Sequence, residues 1–498
     1  MRLQQFAIEG LGHLSTLIAD EAAGVAAVVD PRRDVDVYLE AARSGGLRIT
    51  HVVETHLHND YVSGGRELAS LTGASHIIGS GAELRHEHQP VRDGETFDLG
   101  SLRFRALETP GHTPEHVSYA LADRSRADEP LLVLTGGSLL VGAVGRTDLL
   151  GASSARPYAA LMHRSLHEVI LRHEDSVAVF PTHGGGSLCS TDISSTTWST
   201  IGYERRHDPL LAPMEVDAFA RALLADQPSV PRYFARMRPT NQAGPRLLGG
   251  VVPMPRPISV EEAGQALDTG ALLIDLRSPA EHAVAHVPGS LSIPAGSSFG
   301  TWLGWVVPDP DRPLVFLLGS DTQWDDWDDA VRQALRIGFE SVVGYVHGGF
   351  GAWAEAGRSR EAGGALEAAG LARLLSTGGA EAPLVIDVRQ ASEYEAGHVP
   401  GALAIGAGDL PDRLDSLPRD RPIATICASG YRASVAASLL RAAGFPRVAW
   451  VAGGVPTWEA AGYPVAYGGS GAGEWPATNA ALRPDEVHAR PADEVHAH

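Results

Sequence analysis

Two stretches of this chain, LLIDLRSPAEHAVAHVPGS and LVIDVRQASEYEAGHVPGA, carry matching residues at matching spacing: Asp275 and His286 stand eleven apart, as do Asp387 and His398. A repeat on this scale means two copies of one folding unit rather than a single continuous core. Each copy continues through a helix-like segment and a short apolar strand to a Gly-Gly pair and a tryptophan. These are Gly348, Gly349 and Trp353 in one copy, and Gly453, Gly454 and Trp458 in the other. Apolar runs such as PLVIDV and PIATIC alternate with helical stretches, the pattern of a mostly parallel sheet flanked by helices. The copies are placed at residues 257–360 and 363–467.

The chain has 498 residues, and at roughly 150 residues per domain that length leaves room for one further domain before the repeat. In residues 1–240 strand-like runs outnumber helices: STLIAD, VAAVVDP, ITHVVET, SHIIGS, LRFRALET, VSYALA, LLVLTG and VAVFPTH. The expectation is two sheets with outer helices. Residues 237–257, rich in Pro and Gly, predict a linker, and residues 468–498 predict a disordered tail. Sixty acidic against 40 basic residues give a formal charge of -20, which repels a nucleic-acid backbone. No apolar run reaches the ~20 residues needed to cross a bilayer, and no basic region followed by an apolar stretch opens the chain. A cytoplasmic protein with no membrane or nucleic-acid partner is expected. The oligomeric state is left open, a homo-oligomer included.

Histidines cluster at strand ends. After ITHVVET comes His56-Leu57-His58-Asn59-Asp60; His112 follows RALET in TPGHTPEH; His183 follows VAVF in PTHGGG. The i, i+2 spacing of His56 and His58 lets both rings face one cleft, and imidazole is the commonest transition-metal ligand. The three positions together predict a metal centre.

Residues 1–240 resemble the metallo-β-lactamase superfamily, whose signature is T-H-x-H-x-D-H, a His after Pro-Gly, a T-G-D and a final His. TPGHTPEH, VGAVGRTDLLG and HGGGSLC with ERRHDPLL are most similar to its persulfide dioxygenase branch, fused to rhodanese domains. That resemblance implies an αββα sandwich and oxidation of a low-molecular-weight persulfide to sulfite by O₂ at one Fe(II), held by two His and one Asp. Carried over, the iron ligands are His56 and His112, but Gly137 stands where the Asp belongs, and Tyr61 replaces the last His of the first motif. A binuclear hydrolase is disfavoured, because Asp60 and His183 alone remain for a second ion. His56, His58 and His112 are the expected ligands of one Fe(II) or Zn per chain. Asp60 and His183 are supporting or alternative ligands, and Gly137→Asp is expected to raise iron occupancy. Asp148 matches a different family position.

Cys427 closes PIATIC and opens Cys427-Ala428-Ser429-Gly430-Tyr431-Arg432, leading into a helix. Backbone amides in a tight loop at a helix N-terminus suit a thiolate and can cradle an anion, and Arg432 adds fixed charge. With DVR, GHVPGA and AGGVPTW, residues 363–467 resemble a rhodanese domain. This implies that Cys427 carries sulfane sulfur between a persulfide or thiosulfate donor and a thiol acceptor. Arg432 is then its electrostatic partner, and Ala428, Ser429, Gly430 and Tyr431 are its amide cradle. Aligning Pro313 with Pro422 puts Leu318 at the cysteine, Gln323 at the arginine and Asp321 at Gly430. The first copy is therefore expected to be an inactive, structural rhodanese. Cys189, six residues after His183, is either a sulfur relay to Cys427 or a small core residue. The whole predicts an α/β multidomain sulfurtransferase with a persulfide dioxygenase-like metal domain. The alternatives are a mononuclear zinc hydrolase of thioester type and a non-catalytic scaffold that binds a persulfide carrier.

Overall fold

Alternation along the first strands decides the layers. In β2 (His13–Asp20) and β3 (Val25–Val29), Leu17, Ala19, Ala26 and Val28 face one side, where the helix Asp36–Ser44 covers them. Ile18, Ala27 and Val29 face the other. Successive side chains on a strand point to opposite faces, so a sheet apolar on both must be covered twice. The computed structural model, which describes residues 1–191, 193–225, 227–319 and 324–469, answers this with a second sheet on one face and helices on the other.

The first sheet runs β1 (Arg2–Ile8), β2, β3, β4 (Arg48–Val53), β5 (Ser75–Gly79), β6 (Gln89–Val91), antiparallel up to β3 and parallel thereafter. The second contains β7 (Thr96–Leu99), β8 (Leu102–Glu108), β9 (Val117–Asp123), β10 (Leu132–Gly136), β11 (Ala178–Pro181) and β12 (Ser199–Thr200), in the order β12-β11-β10-β9-β8-β7. Between the sheets Ile18, Val29, Val53 and Ile77 meet Phe104, Tyr119, Leu121 and Leu134. Behind the second sheet the helices Ala152–Arg164 and Val216–Leu224 pack Ala159, Met162, Phe219 and Leu223 against Val133 and Val179. This is the expected αββα sandwich, and all eight predicted strand runs are strands.

Its compact unit is Met1–Met254 with Ala330–Glu340, so it extends into the segment expected to be a linker. The helix Phe234–Ala243 contains Pro239. It belongs to this unit because Asn241, buried, donates to the carbonyls of His58 and Tyr61 at 3.0 and 2.9 Å and accepts from Ser63 N at 2.8 Å. Proline content alone does not reveal such a side-chain anchor.

The second unit holds both repeats. The first copy has β13 (Pro257–Ile258), β14 (Leu272–Asp275), β15 (Leu291–Ser292), β16 (Leu314–Leu317) and β17 (Val342–Val346), ordered β13-β17-β16-β14-β15. The second has β18 (Gly364–Leu366), β19 (Leu384–Asp387), β20 (Leu403–Ala404), β21 (Ile423–Ile426) and β22 (Val448–Val451), ordered β18-β22-β21-β19-β20. The topologies are the same and all neighbours are parallel.

The repeated residues are architectural. Asp275 and Asp387 end equivalent strands and bind Arg277 and Arg389 through both carboxylate oxygens, and each arginine also donates to a carbonyl, of Ala285 or Gly397. Gly349 and Gly454 have φ of +60° and +62°, and a Cβ there would lie 2.4 Å from the Leu318 carbonyl or 2.0 Å from the Cys427 carbonyl. Only glycine allows that approach beneath the loop. The copies also share a core: Ala283 and Trp302 of the first pack with Ala433, Ala436 and Leu440 of the second. Ser292 N donates to Ser438 Oγ at 3.0 Å. No described helix is long and apolar enough to cross a membrane. Gln323, Asp321 and the tail from residue 470 lie outside the described residues.

His282 and His286 stack at 4.1 Å inside the first copy. Burial, then the neighbouring His286, pushes His282 down to about 2 from 6.5, and burial lowers His286 too. The unfolded chain therefore takes up protons that the folded one refuses. This contribution to stability is complete above the ordinary imidazole pKa and is lost as pH falls below it. The second unit's tryptophan-monitored denaturation midpoint should be lower at about pH 5.5 than at about pH 7.5. Equal midpoints would contradict this.

Candidate functional site

The histidines sit beyond the C-terminal ends of β4, β8 and β11, around the carboxylate of Asp30 at the end of β3. Asp30 is buried with φ +50°. It accepts from Thr55 N and Thr55 Oγ1 at 2.7 and 2.9 Å, and from the hydroxyl of Thr182. Because the Thr55 hydroxyl proton goes to Asp30, its oxygen accepts from His56 Nδ1 at 2.8 Å. That leaves His56 Nε2 with its lone pair free, and the atom is buried without a hydrogen-bond partner. His112 is fixed by the same logic: Nδ1 lies 2.9 Å from the Arg146 carbonyl, which can only accept, so Nε2 is the free atom. His183 differs: neither ring nitrogen makes a hydrogen bond, but Nδ1 is ion-paired with Asp60 Oδ2 at 3.3 Å. Ligand atoms of His56, His112 and His183 lie within 4.8 Å of one another.

Burial, reinforced by neighbouring imidazoles, holds His56 well below its ordinary pKa and brings His112 to about 3. Neutral rings are the form that binds metal. Buried, converging imidazole nitrogens fit a transition-metal ion.

The set differs from the expected His56, His58 and His112. His58 is turned to the acids, with Nε2 3.2 Å from Asp30 Oδ1 and 3.8 Å from Glu54 Oε2, and its ring stacks on Tyr61 at 4.4 Å. Burial opposes charge on His58, but Asp30 outweighs it and raises the pKa. The i, i+2 spacing places both rings together, with centroids 4.2 Å apart. What the spacing lacks is the acid on another strand that claims the second one. His183 takes the third place. Tyr61 donates to the Asp30 carbonyl at 3.3 Å, and Asp148 is held by Arg146 at 2.6 and 2.8 Å.

Gly137 has a structural explanation. Its N–H donates to His116 Nε2 at 2.9 Å, and a Cβ added there would lie 2.2 Å from His112 Cδ2. The His112 ring occupies the space a side chain at 137 needs. The expectation that Gly137→Asp simply completes an iron site therefore fails sterically unless His112 yields.

Asp60 and Cys189 join the centre through His183. Ligand atoms of Asp60, His183 and Cys189 also lie within 4.8 Å of one another, and all three residues are buried. Burial works against charge on His183, but the adjacent Cys189 and Asp60 outweigh it and hold its pKa well above the usual value.

In the second unit, Cys427 lies directly after β21, buried at the base of its loop. Gly430 N donates to Cys427 Sγ at 3.1 Å. Gly430 has φ +106°, and a Cβ on it would meet Trp450 at 2.7 Å. Arg432, first-turn residue of the helix Tyr431–Ala442, forks onto Glu393 at 2.6 and 2.7 Å. Burial opposes its charge, while Glu393 foremost and Cys427 also raise its pKa. Glu393 was not singled out from sequence. It is the N3 residue of a capping box on the helix Ala391–Glu395, read in the sequence as Gln390-Ala391-Ser392-Glu393, and its second role shows only once the arginine's position is known. Its counterpart Glu281 serves the same capping role with Ser278. The first copy also supports the loop from outside: Tyr431 donates to the Pro294 carbonyl at 3.2 Å, and its ring lies 6.2 Å from Trp302.

Residues 8–149 match the metallo-beta-lactamase superfamily model, and residues 259–356 and 367–461 match the rhodanese-like domain model. The chain belongs to the metallo-beta-lactamase superfamily, in the group that includes persulfide dioxygenases, and is fused to two rhodanese-like domains. It is 30% identical over 203 residues to the mitochondrial persulfide dioxygenase ETHE1 of Bos taurus, covering 39% of this chain and 70% of that protein. It is 36% identical over 133 residues to a hydroxyacylglutathione hydrolase of Methylococcus capsulatus, covering 26% and 51%. Among solved structures, a metallo-beta-lactamase from Staphylococcus aureus subsp. aureus COL is similar with TM-score 0.62 and 29% identity, over 70% of this chain and 99% of that one.

Gly137→Ala should destabilise the first unit by about 1–3 kcal/mol, the usual range for overpacking a filled site. An unchanged thermal midpoint would show that the His112 ring does not occupy that space.

Proposed function

We propose that the chain works in sulfane-sulfur metabolism, as a sulfurtransferase whose carrier is Cys427 and whose donor or product is a persulfide handled at the metal centre of the first unit. The observation that carries this reading is Cys427 opening a tight loop, with Gly430 N–H on its sulfur and the guanidinium of Arg432, held by Glu393, in the first turn of the helix that follows. The Cys427 thiolate attacks the outer sulfur of thiosulfate or of a persulfide. The donor S–S bond breaks, and sulfite or the donor thiolate leaves with the electron pair. The loop amides and Arg432 stabilise the charge on the terminal sulfur of the resulting Cys427 persulfide. An acceptor thiolate then takes that sulfur and returns Cys427 as thiolate.

Glu393 positions Arg432, and the first rhodanese copy, with Leu318 at the cysteine position, supports the loop through Pro294 and Trp302. Its role is to position its neighbour rather than to carry sulfur.

For the first unit, the kinship with persulfide dioxygenases supports a persulfide as the ligand. One divalent ion held there would supply Lewis acidity toward a persulfide sulfur. The chain's own residues do the orienting: Thr55 and the Arg146 carbonyl set the free nitrogens of His56 and His112. The centre brings His56, His112 and His183 together and has no carboxylate at 137, so we expect slow iron-dependent persulfide oxidation compared with sulfur transfer.

Cys427→Ser should abolish thiosulfate-to-thiol sulfur transfer, because an alcohol cannot form the carrier persulfide, and should leave the circular-dichroism spectrum unchanged. Transfer persisting in that variant would move the chemistry away from this loop.

A further inference from the structure

Ile77 of β5 faces the second sheet, so its neighbour His76 faces the opposite, helix-covered side. There the helix Gly65–Thr72, the start of β5 and the loop before β6 line a cavity of about 830 Å³, within the size range of small-molecule sites. Its charge runs against the chain's formal -20: Arg66 and Arg85 stand against one acid, Glu87, beside His76, His86 and His88. None of these residues belongs to the metal centre.

The end of the helix Phe234–Ala243 holds the walls in place. Arg66 Nη1 donates to the carbonyls of Gly244 and Pro245 at 3.0 and 2.8 Å, and Arg85 N donates to the Gln242 carbonyl at 2.9 Å. Gly244 has φ +89°, and a Cβ there would lie 2.7 Å from His86 Nδ1, so glycine alone admits that ring. With Nη1 of Arg66 anchored, Nε and Nη2 remain for a ligand. The exposed Arg85 side chain has no acceptor among the described residues.

His76 is 5% exposed, and its Nδ1 is buried without a hydrogen-bond partner. Its Nε2 lies 3.1 Å from Glu54 Oε1, which also accepts from the Ser63 hydroxyl at 2.5 Å. Burial opposes charge on Glu54, but His76 foremost outweighs it and keeps the carboxylate ionised. Nε2 therefore carries the ring proton, and Nδ1 is left as a bare acceptor.

Two guanidinium groups repel a metal cation, and the imidazoles here do not converge on one point: among the described residues the converging sets are those at the strand ends. His88 Nδ1 is already bonded to the His86 carbonyl at 2.8 Å. The lining calls instead for an anion that brings its own proton. A phosphate monoester has a second pKa of about 6, close to imidazole at about 6.5, so one proton can lie between a phosphate oxygen and Nδ1 while the guanidinium groups take the other oxygens. Carboxylic acids ionise near about 4 and match imidazole poorly.

We propose that this cavity binds a small phosphate monoester, with Arg66 and Arg85 on its oxygens and its remaining O–H donating to His76 Nδ1. The site is independent of the sulfur chemistry assigned above.

The test is calorimetric titration of the full-length chain with glycerol 2-phosphate, and in parallel with inorganic phosphate, sulfate and succinate. Glycerol 2-phosphate should bind with one-to-one stoichiometry and more tightly than the other three. Arg85→Glu, at an exposed side chain, should weaken it by more than about tenfold, and Cys427→Ser should bind as the wild type does. No binding of glycerol 2-phosphate, equal or tighter binding of any of the other three anions, or binding that Arg85→Glu leaves unchanged overturns the proposal. If Arg85→Glu does not fold, the ranking of the four anions on the wild type still decides.

Discussion

The carboxylate of Asp30 ties the first unit together. It receives the backbone and hydroxyl of Thr55 from the end of β4 and the hydroxyl of Thr182 from the end of β11, so one buried group joins strand ends of both sheets. Its backbone carbonyl takes His13 Nε2 at 2.9 Å and the Tyr61 hydroxyl. Everything at the centre follows from where those protons go. The Thr55 proton on Asp30 dictates the His56 tautomer, and the remaining negative charge draws His58 away from the ligand set. A carboxylate this buried is tolerable because every donor around it is aimed inward.

The two rhodanese copies show which parts of a repeat belong to the fold and which to chemistry. Asp–Arg pairing after the second strand, the capping glutamate and the glycine under the loop recur in both. These contacts serve the fold, and in the second copy the capping glutamate also holds Arg432. The residues that differ are Leu318 against Cys427, at the same strand end and both buried. The first copy keeps the architecture with Leu318 at the cysteine position, and it touches Tyr431, inside the Cys427 loop, and Ser438, further along its helix.

Much of this was legible in the sequence. Strand ends followed by His56, His112, His183 and Cys427 mark the candidate sites because apolar runs and their terminators are local signals. The repeat fixed the second unit by the same kind of local signal. Partners in space were not legible. Asp30 reads only as the end of VAAVVD, Asn241 as part of a Pro- and Gly-rich linker and Glu393 as a helix-start acid. Each acquires its role from a residue tens to hundreds of positions away. His58 turns to Asp30 for that reason: periodicity states which way a ring points, and only packing states what charge waits there. At Gly137 the sequence shows a glycine where the resemblance expects an acid, and only the fold shows that the His112 ring fills the space a side chain there would need.

The central claim is that sulfur travels on one residue of this chain. Thiosulfate labelled in its outer sulfur, followed by alkylation and peptide mass mapping, tests it most directly. The peptide containing Cys427 should gain one labelled sulfur atom as a trapped persulfide. Label confined to the Cys189 peptide, or absent from the protein while transfer proceeds, would contradict the account.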